Sequence, residues 1–317
     1  MQQYILRRVG LALVLVFVVT TIVFAILRLM PGDPVLLILS SETSQPDPEA
    51  VAAVRAKLGL DQPIWRQYIN WWVGLVRLDL GNSLFDGVPV SEDIFKRLPR
   101  TLEIIVAGLL LGIVVGIPLG IVGAVYNQRW PDYVVSVVAT LGISSPVYVL
   151  GTLLVLLFGL YIPWFPASGY VSFAEAPWEH FRKLTLPAVA IATGQAAIIA
   201  RMTRSSTLEV LGQDYIRSAR SKGLREQVIL YRHALANSLI PVVTVIGVSA
   251  GALLGGTVLV EFIFNWPGLS TLLMEGIYRR DYPIVQGILV VTSTLFIFLN
   301  LIVDLIYGFL DPRIRYE

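Results

Sequence analysis

The sequence predicts an all-α integral membrane protein with six transmembrane helices and a small external subdomain after the first. Three observations carry this. Apolar residues make up 56% of the 317-residue chain and charged residues only 15%, where a soluble domain holds about half and about a quarter. The mean hydropathy is +0.72. Apolar runs near the ~20 residues that a bilayer demands recur along the chain, with charged loops between them.

The first run, Val9 to Leu27, follows Arg7-Arg8. It is longer than the ~7–15-residue core of a secretory signal and has no small-residue cleavage site. It reads as an uncleaved first span, residues 1–30 in all, with a cytoplasmic N-terminus. Residues 31–100 are mixed polar. Val51 to Leu60 has the spacing of a short amphipathic helix. Tyr68 to Val76, with adjacent Trp71 and Trp72, suits a helix lying at the membrane surface. The segment is too long for a structureless loop, so it is expected to form the external subdomain.

Five more spans are expected at about 101–125, 134–160, 185–205, 238–260 and 284–308. With their loops they make a 101–310 core, followed by a 311–317 cytoplasmic tail. Most loop arginines then fall on the cytoplasmic side, Arg204, Arg217, Arg220, Arg225 and Arg232 among them. The short external loops keep Arg182, Lys183, Arg279 and Arg280. That asymmetry fits the positive-inside rule.

Composition also excludes some chemistry. The chain has no cysteine, which removes disulfides, thiolate metal sites and a cysteine nucleophile. His180 and His233 are too few and too far apart for a metal cage. The sequence pI of about 8.8 comes without a basic cluster interleaved with aromatics, so no nucleic acid is implied. Gly247-Val248-Ser249-Ala250-Gly251 matches the GxSxG pattern of serine hydrolases. That chemistry needs a strand–turn–helix setting and a nearby base, so Ser249 of an apolar span is a remote alternative.

The second span carries Gly108, Gly112, Gly116 and Gly120, and the fifth carries Gly247, Gly251 and Gly255. Spacing by four puts each set on one helix face, where another backbone can approach closely. Such faces serve packing, or they slide during gating. Pro118, Pro146, Pro187 and Pro241 interrupt or border spans. Polar groups at membrane depth deserve a functional reading by default. Gln195 and Asn300 could face a pathway or bond across helices, Arg201 could pair with Asp304, and Glu261 and Arg28, near the external face, could pair or touch an external partner protein.

The most informative stretch is the loop Arg204 to Asn237, with the core GQDYIRSARSKGLREQVILYRHALANSLIP. Helix formers surround Ile216 to Lys222, the chain turns at Gly223, and a helix resumes through Val228 to Ala236. A soluble partner could grip such an element and pass motion to the spans at both ends.

These residues resemble the EAA motif of binding-protein-dependent ABC importer permeases. Gly223 falls on the motif's glycine and Ala219 on its second alanine. Arg217-Ser218 stands where Glu-Ala is general, and Leu235-Ala236 where Leu-Pro is usual. Both departures are similar to the peptide/nickel subfamily. Residues 30–34 (Met-Pro-Gly-Asp-Pro), the stretch Glu261 to Gly287 and the ending Val303 to Tyr316 resemble further signatures of that subfamily. The long segment after the first span resembles its B-type subunit.

The resemblance implies the type I importer permease fold and no enzyme activity in this chain. It implies a second homologous permease, two cytoplasmic ATPases and an external substrate-binding protein, in the inner membrane of a prokaryote. Asp214, Tyr215, Arg217, Ala219, Arg220, Lys222, Gly223 and Leu224 would form the ATPase-coupling loop. ATP and magnesium would sit in the partners, for the chain holds no Gly-Lys dipeptide and so no phosphate-binding loop. The subfamily implies di- or oligopeptide cargo, with glutathione, nickel chelates and oligosaccharides as alternatives.

Overall fold

The computed structural model describes residues 2–29, 35, 48–57 and 59–310. The motif at residues 30–34, most of the segment up to residue 47 and the tail 311–317 lie outside them.

Thirteen helices are named here: α1 (Gln2–Leu29), α2 (Pro48–Lys57), α3 (Ile64–Val76), α4 (Val90–Val125), α5 (Trp130–Ser144), α6 (Val147–Leu154), α7 (Pro177–Leu211), α8 (Asp214–Ser221), α9 (Glu226–Val228), α10 (Leu235–Gly256), α11 (Val258–Ile263), α12 (Leu269–Arg279) and α13 (Tyr282–Leu310). π-Helical stretches Val155–Tyr161 and Ile229–Ala234 prolong α6 and α9.

Among the described residues, five rods are long and apolar enough to cross a membrane: Gln3–Ile26, Val90–Val125, Pro177–Leu211, Glu226–Gly256 and Tyr282–Leu305. Where the sixth span is expected, two helices meet at a sharp break, the geometry of a broken span or a re-entrant loop. Trp130–Ser144 and Val147–Tyr161 meet at 99°. Pro146 supplies no N–H and forces the residue before it out of helical conformation; Ser145 is extended, at φ −84° and ψ 118°. α4 begins at Val90, well before the expected 101, because Val90 and Ile94 bury one face of a polar first turn.

The chain divides into two compact units, with α1, α4 and α13 contributing to both. One comprises residues 11–100 and 267–295. Its core gathers Val90, Ile94, Leu269, Leu272, Ile284 and Ile288. α3 lies on α1 through ring contacts of Phe17 with Trp72 and of Phe24 with Tyr68 and Trp71, at centroid distances of 5.2–5.3 Å. The hydroxyls of Thr21 and Tyr68 hydrogen-bond at 2.8 Å. The other face of α3 leaves Ile64, Trp65, Ile69, Val73 and Val76 exposed, as suits a helix at a lipid–water boundary. Asp281, only 1% exposed, accepts from the Ser83 hydroxyl at 2.6 Å and the Leu84 N–H at 3.1 Å. Burial pushes its carboxyl above the usual range, and the Ser83 hydrogen bond opposes that.

The other unit comprises residues 1–10, 101–266 and 296–317. Its main core joins Ile104, Leu184, Ile191, Val260, Phe264 and Trp266. Several buried polar groups find partners, as a low-dielectric interior favours. His180 Nε2 lies 2.8 Å from the Glu103 carboxylate and Nδ1 2.8 Å from the Val171 carbonyl. The Thr101 hydroxyl donates to Glu261 at 2.7 Å. Asp132 accepts from Arg204 at 2.5 and 2.8 Å and from the Gln128 N–H at 2.9 Å.

Candidate functional site

The stretch around Gly223 folds as a helix pinned on one side and open on the other. Two hydrophobic residues three apart, Ile216 and Ala219, turn inward from α8 and pack with Ile229 and Ala234, closed by Val210 and Leu211. Every other residue from Gly212 to Val228 is exposed. The three-residue spacing is the helical repeat that defines one face. Ala219, expected to meet a partner, thus holds the helix down instead.

Gly223 ends α8. Its N–H donates to the Arg220 carbonyl at 2.9 Å, and the Leu224 N–H reaches back to the Ala219 carbonyl at 3.4 Å. These are the two bonds of a Schellman motif. Gly223 has φ +75°, and a β-carbon built on it would meet nothing within 4 Å. Backbone conformation, not space, demands glycine here.

Ion pairs stiffen the turn. Arg220 grips Glu226 at 2.8 and 3.2 Å, and this hydrogen bond raises the Arg220 pKa further. Arg217 reaches Asp214 at 3.3 Å. The Tyr215 hydroxyl donates to the His233 carbonyl at 3.3 Å and accepts from the Asn237 amide at 3.0 Å. Lys222 and Leu224 project outward. The exposed surface is therefore cationic and rigidly presented, with Tyr215 tying it to the start of α10.

The glycines expected to pack do so unevenly. Gly108, Gly112, Gly116 and Gly120 all face α7. A β-carbon there would lie 2.6 Å from Ile191, 2.8 Å from Gln195, 2.7 Å from the Ala196 carbonyl and 2.5 Å from Thr203, respectively. On α10, Gly247 meets Val303 and Gly251 meets Phe296 at 3.1 Å, both on α13. Gly255 faces open space and belongs to no seam.

The expected Arg201–Asp304 pair does not form. Asp304 accepts from Arg8 at 2.7 Å, and the Tyr4 hydroxyl donates to its carbonyl at 3.1 Å, because α1 and α13 lie side by side there. Arg201 is exposed. Three residues on, Arg204 takes the buried role, on Asp132. The sequence offered a signal for this pair: Asp132 in the first turn of a helix and an arginine within a long apolar one. Glu261 bonds with Thr101, while Arg28 stacks over Phe24 at 5.3 Å. Asn300 donates to the Phe296 carbonyl of its own helix at 3.0 Å. Ser249 lies within α10, not at a strand-to-helix turn.

A chain of long apolar helices with a short exposed helix pinned by two side chains has known counterparts. Residues 116–316 match the family described as binding-protein-dependent transport system inner membrane component, and residues 1–105 match its N-terminal component. This chain belongs to that family.

Two curated relatives align over the whole of both chains. The dipeptide transport system permease protein DppB of Escherichia coli (strain K12) is 39% identical over 340 positions. The glutathione transport system permease protein GsiC of Escherichia coli O6:H1 is 38% identical over 317. Among solved structures, an inward-facing MetNI methionine ABC transporter matches with a TM-score of 0.58 and 18% identity, over 69% of this chain and 96% of that one. At that identity the likeness shows the fold alone.

The permease is thus a multi-pass membrane subunit of a bacterial binding-protein-dependent ABC importer. It is a transport subunit and not an enzyme, and the family implies no cofactor of its own. ATPase partners and a binding protein are typical of that family.

Proposed function

We propose that this permease carries di- or oligopeptides into the cytoplasm, paired with a second, similar permease and driven by two ATPases that grip α8. Both termini and α8 then lie on the cytoplasmic side of the inner membrane. Residues 31–100 form the external subdomain that meets the binding protein, and ATP with magnesium acts only in the ATPase partners. Pulling on α8 tilts the rods, and the glycine faces of α4 and α10 are where they yield.

One observation carries the reading. α8 is buried by only two side chains, is held by the Gly223 turn, and exposes a basic surface. That geometry suits a helix seated in a cleft of another protein. Peptide cargo rests on relatives named for dipeptide and glutathione transport; glutathione is itself a tripeptide, so both belong to one chemical class. Nickel chelates and oligosaccharides have no such support here.

The test exploits the absence of native cysteine. Lys222→Cys, in membranes holding the whole importer, is expected to cross-link to an ATPase subunit. Vesicles with the binding protein outside are expected to accumulate labelled dipeptide only when ATP is supplied. Failure of the cross-link would remove the coupling role of α8. ATP-dependent uptake of nickel chelate or oligosaccharide without peptide would overturn the cargo assignment.

A further inference from the structure

The break between α5 and α6 opens onto a small cavity that neither helix packing nor the coupling helix explains. It holds about 110 Å³, the space of about four waters. Most of its wall is apolar, from residues such as Val147 and Leu150, but Ser145 and Gln195 line it too. Gln195 lies near the midpoint of the 35-residue α7, at the depth where a polar side chain is most costly.

One polar atom of this wall lacks a partner. The Gln195 Oε1 atom is buried with no hydrogen-bond partner. α6 starts at Val147 without a side-chain cap. An orphaned buried polar atom costs about 1–3 kcal/mol, a cost that a hydrogen-bonding solute in the cavity would relieve. Two glycines, Gly194 and Gly256, complete the wall, and a β-carbon on either would meet nothing within 4 Å. Broken backbone at membrane depth is tolerated where it lines a cavity, and discontinuous helices mark transport sites.

We propose that this cavity lies on the translocation pathway and receives one main-chain amide of the passing peptide. A peptide unit offers one N–H donor and one carbonyl acceptor. Gln195 presents an acceptor in Oε1 and a donor in its amide nitrogen, and Ser145 can serve as either. The apolar remainder of the wall accommodates side chains without selecting among them. The inference rests on the peptide reading above and adds the residues that touch the cargo.

The test uses the whole importer in proteoliposomes. In Ser145→Cys the introduced cysteine is this chain's only one. A small, charged methanethiosulfonate is expected to modify it at least about tenfold faster in one nucleotide state than in the other, and a transported dipeptide is expected to slow that reaction. Gln195→Met keeps shape but removes the amide; uptake should fall about three- to tenfold, the worth of one hydrogen bond. Gly194→Val fits the open space but fills the cavity, and should block uptake in a complex that still assembles.

Equal labelling in every state, or full uptake by both Gln195→Met and Gly194→Val, would overturn the proposal. State-dependent labelling in vesicles that take up no peptide would instead overturn the peptide reading, leaving the cavity's place on the pathway upheld.

Discussion

Replacing Gly223 separates two demands on α8 under the proposed coupling role. Its φ of +75° lies in the left-handed region, which costs an ordinary L-residue about 1–2 kcal/mol. No atom lies within 4 Å of a β-carbon placed there, so Gly223→Ala incurs the backbone penalty and no clash. A penalty of that size lowers the population of the native turn about 5- to 30-fold relative to its competitors. Asparagine tolerates the left-handed region far better, so Gly223→Asn should retain most coupling. Valine, β-branched, should be worse than alanine. The assay is peptide uptake per ATP hydrolysed by the reconstituted importer, with assembly checked by co-purification. The expected order is Gly, then Asn, then Ala, then Val. Wild-type coupling in Gly223→Ala would refute the backbone argument. So would an asparagine variant that fails as badly as alanine, because room for a partner, not φ, would then be the requirement.

Three further outcomes follow from the same geometry. Gly120→Ala puts a β-carbon 2.5 Å from Thr203 and should destabilise the chain by about 1–3 kcal/mol through overpacking, whereas Gly255→Ala should be neutral or up to ~1 kcal/mol stabilising by helix propensity; thermal unfolding in detergent compares them, and equal losses would contradict the seam. Arg204→Ala strands the buried Asp132 carboxylate and should cost about 3–5 kcal/mol, with part restored when Asp132→Asn is added; a double variant no better than the single one would deny the pairing. Arg8→Ala breaks a pair whose side chains are 40% and 39% exposed and should cost only ~0–1 kcal/mol, with Arg201→Ala costing nothing; a coupling of Asp304 to Arg201 in a double-mutant cycle would reverse that assignment.

What the residues disclosed in advance was whatever depends on local period. Hydropathy marked the rods, because a bilayer selects for unbroken apolar length. The fourfold spacing of Gly108 to Gly120 marked a helix face, and Gly223 marked a turn. The partners in space were not legible. Nothing local distinguishes Arg201 from Arg204, and only the approach of α5 to α7 decides which finds a carboxylate. The same holds for Ala219, whose inward turn depends on Ile229 and Ala234 lying beneath it. Pro146 announced an interruption, yet its size depends on what each arm packs against, so a kink and a 99° break read alike. The early start of α4 was hidden because Glu92, Asp93 and Lys96 resemble a loop until Val90 and Ile94 are seen to be buried.

α7 runs without interruption from Pro177 to Leu211, and only Gly212 and Gln213 separate it from α8. At 1.5 Å per residue it is a rod of roughly 50 Å. Tilting it by about 5° around Gly212 would displace its far end, where His180 meets Glu103, by roughly 4 Å, about the thickness of one side-chain layer. α4 cannot lag behind, because its glycines leave no slack against Ile191, Gln195, Ile199 and Thr203. Were a partner to hold α8 as proposed, a small rotation at that end would become a displacement of one side-chain layer at the other, with leverage set by helix length.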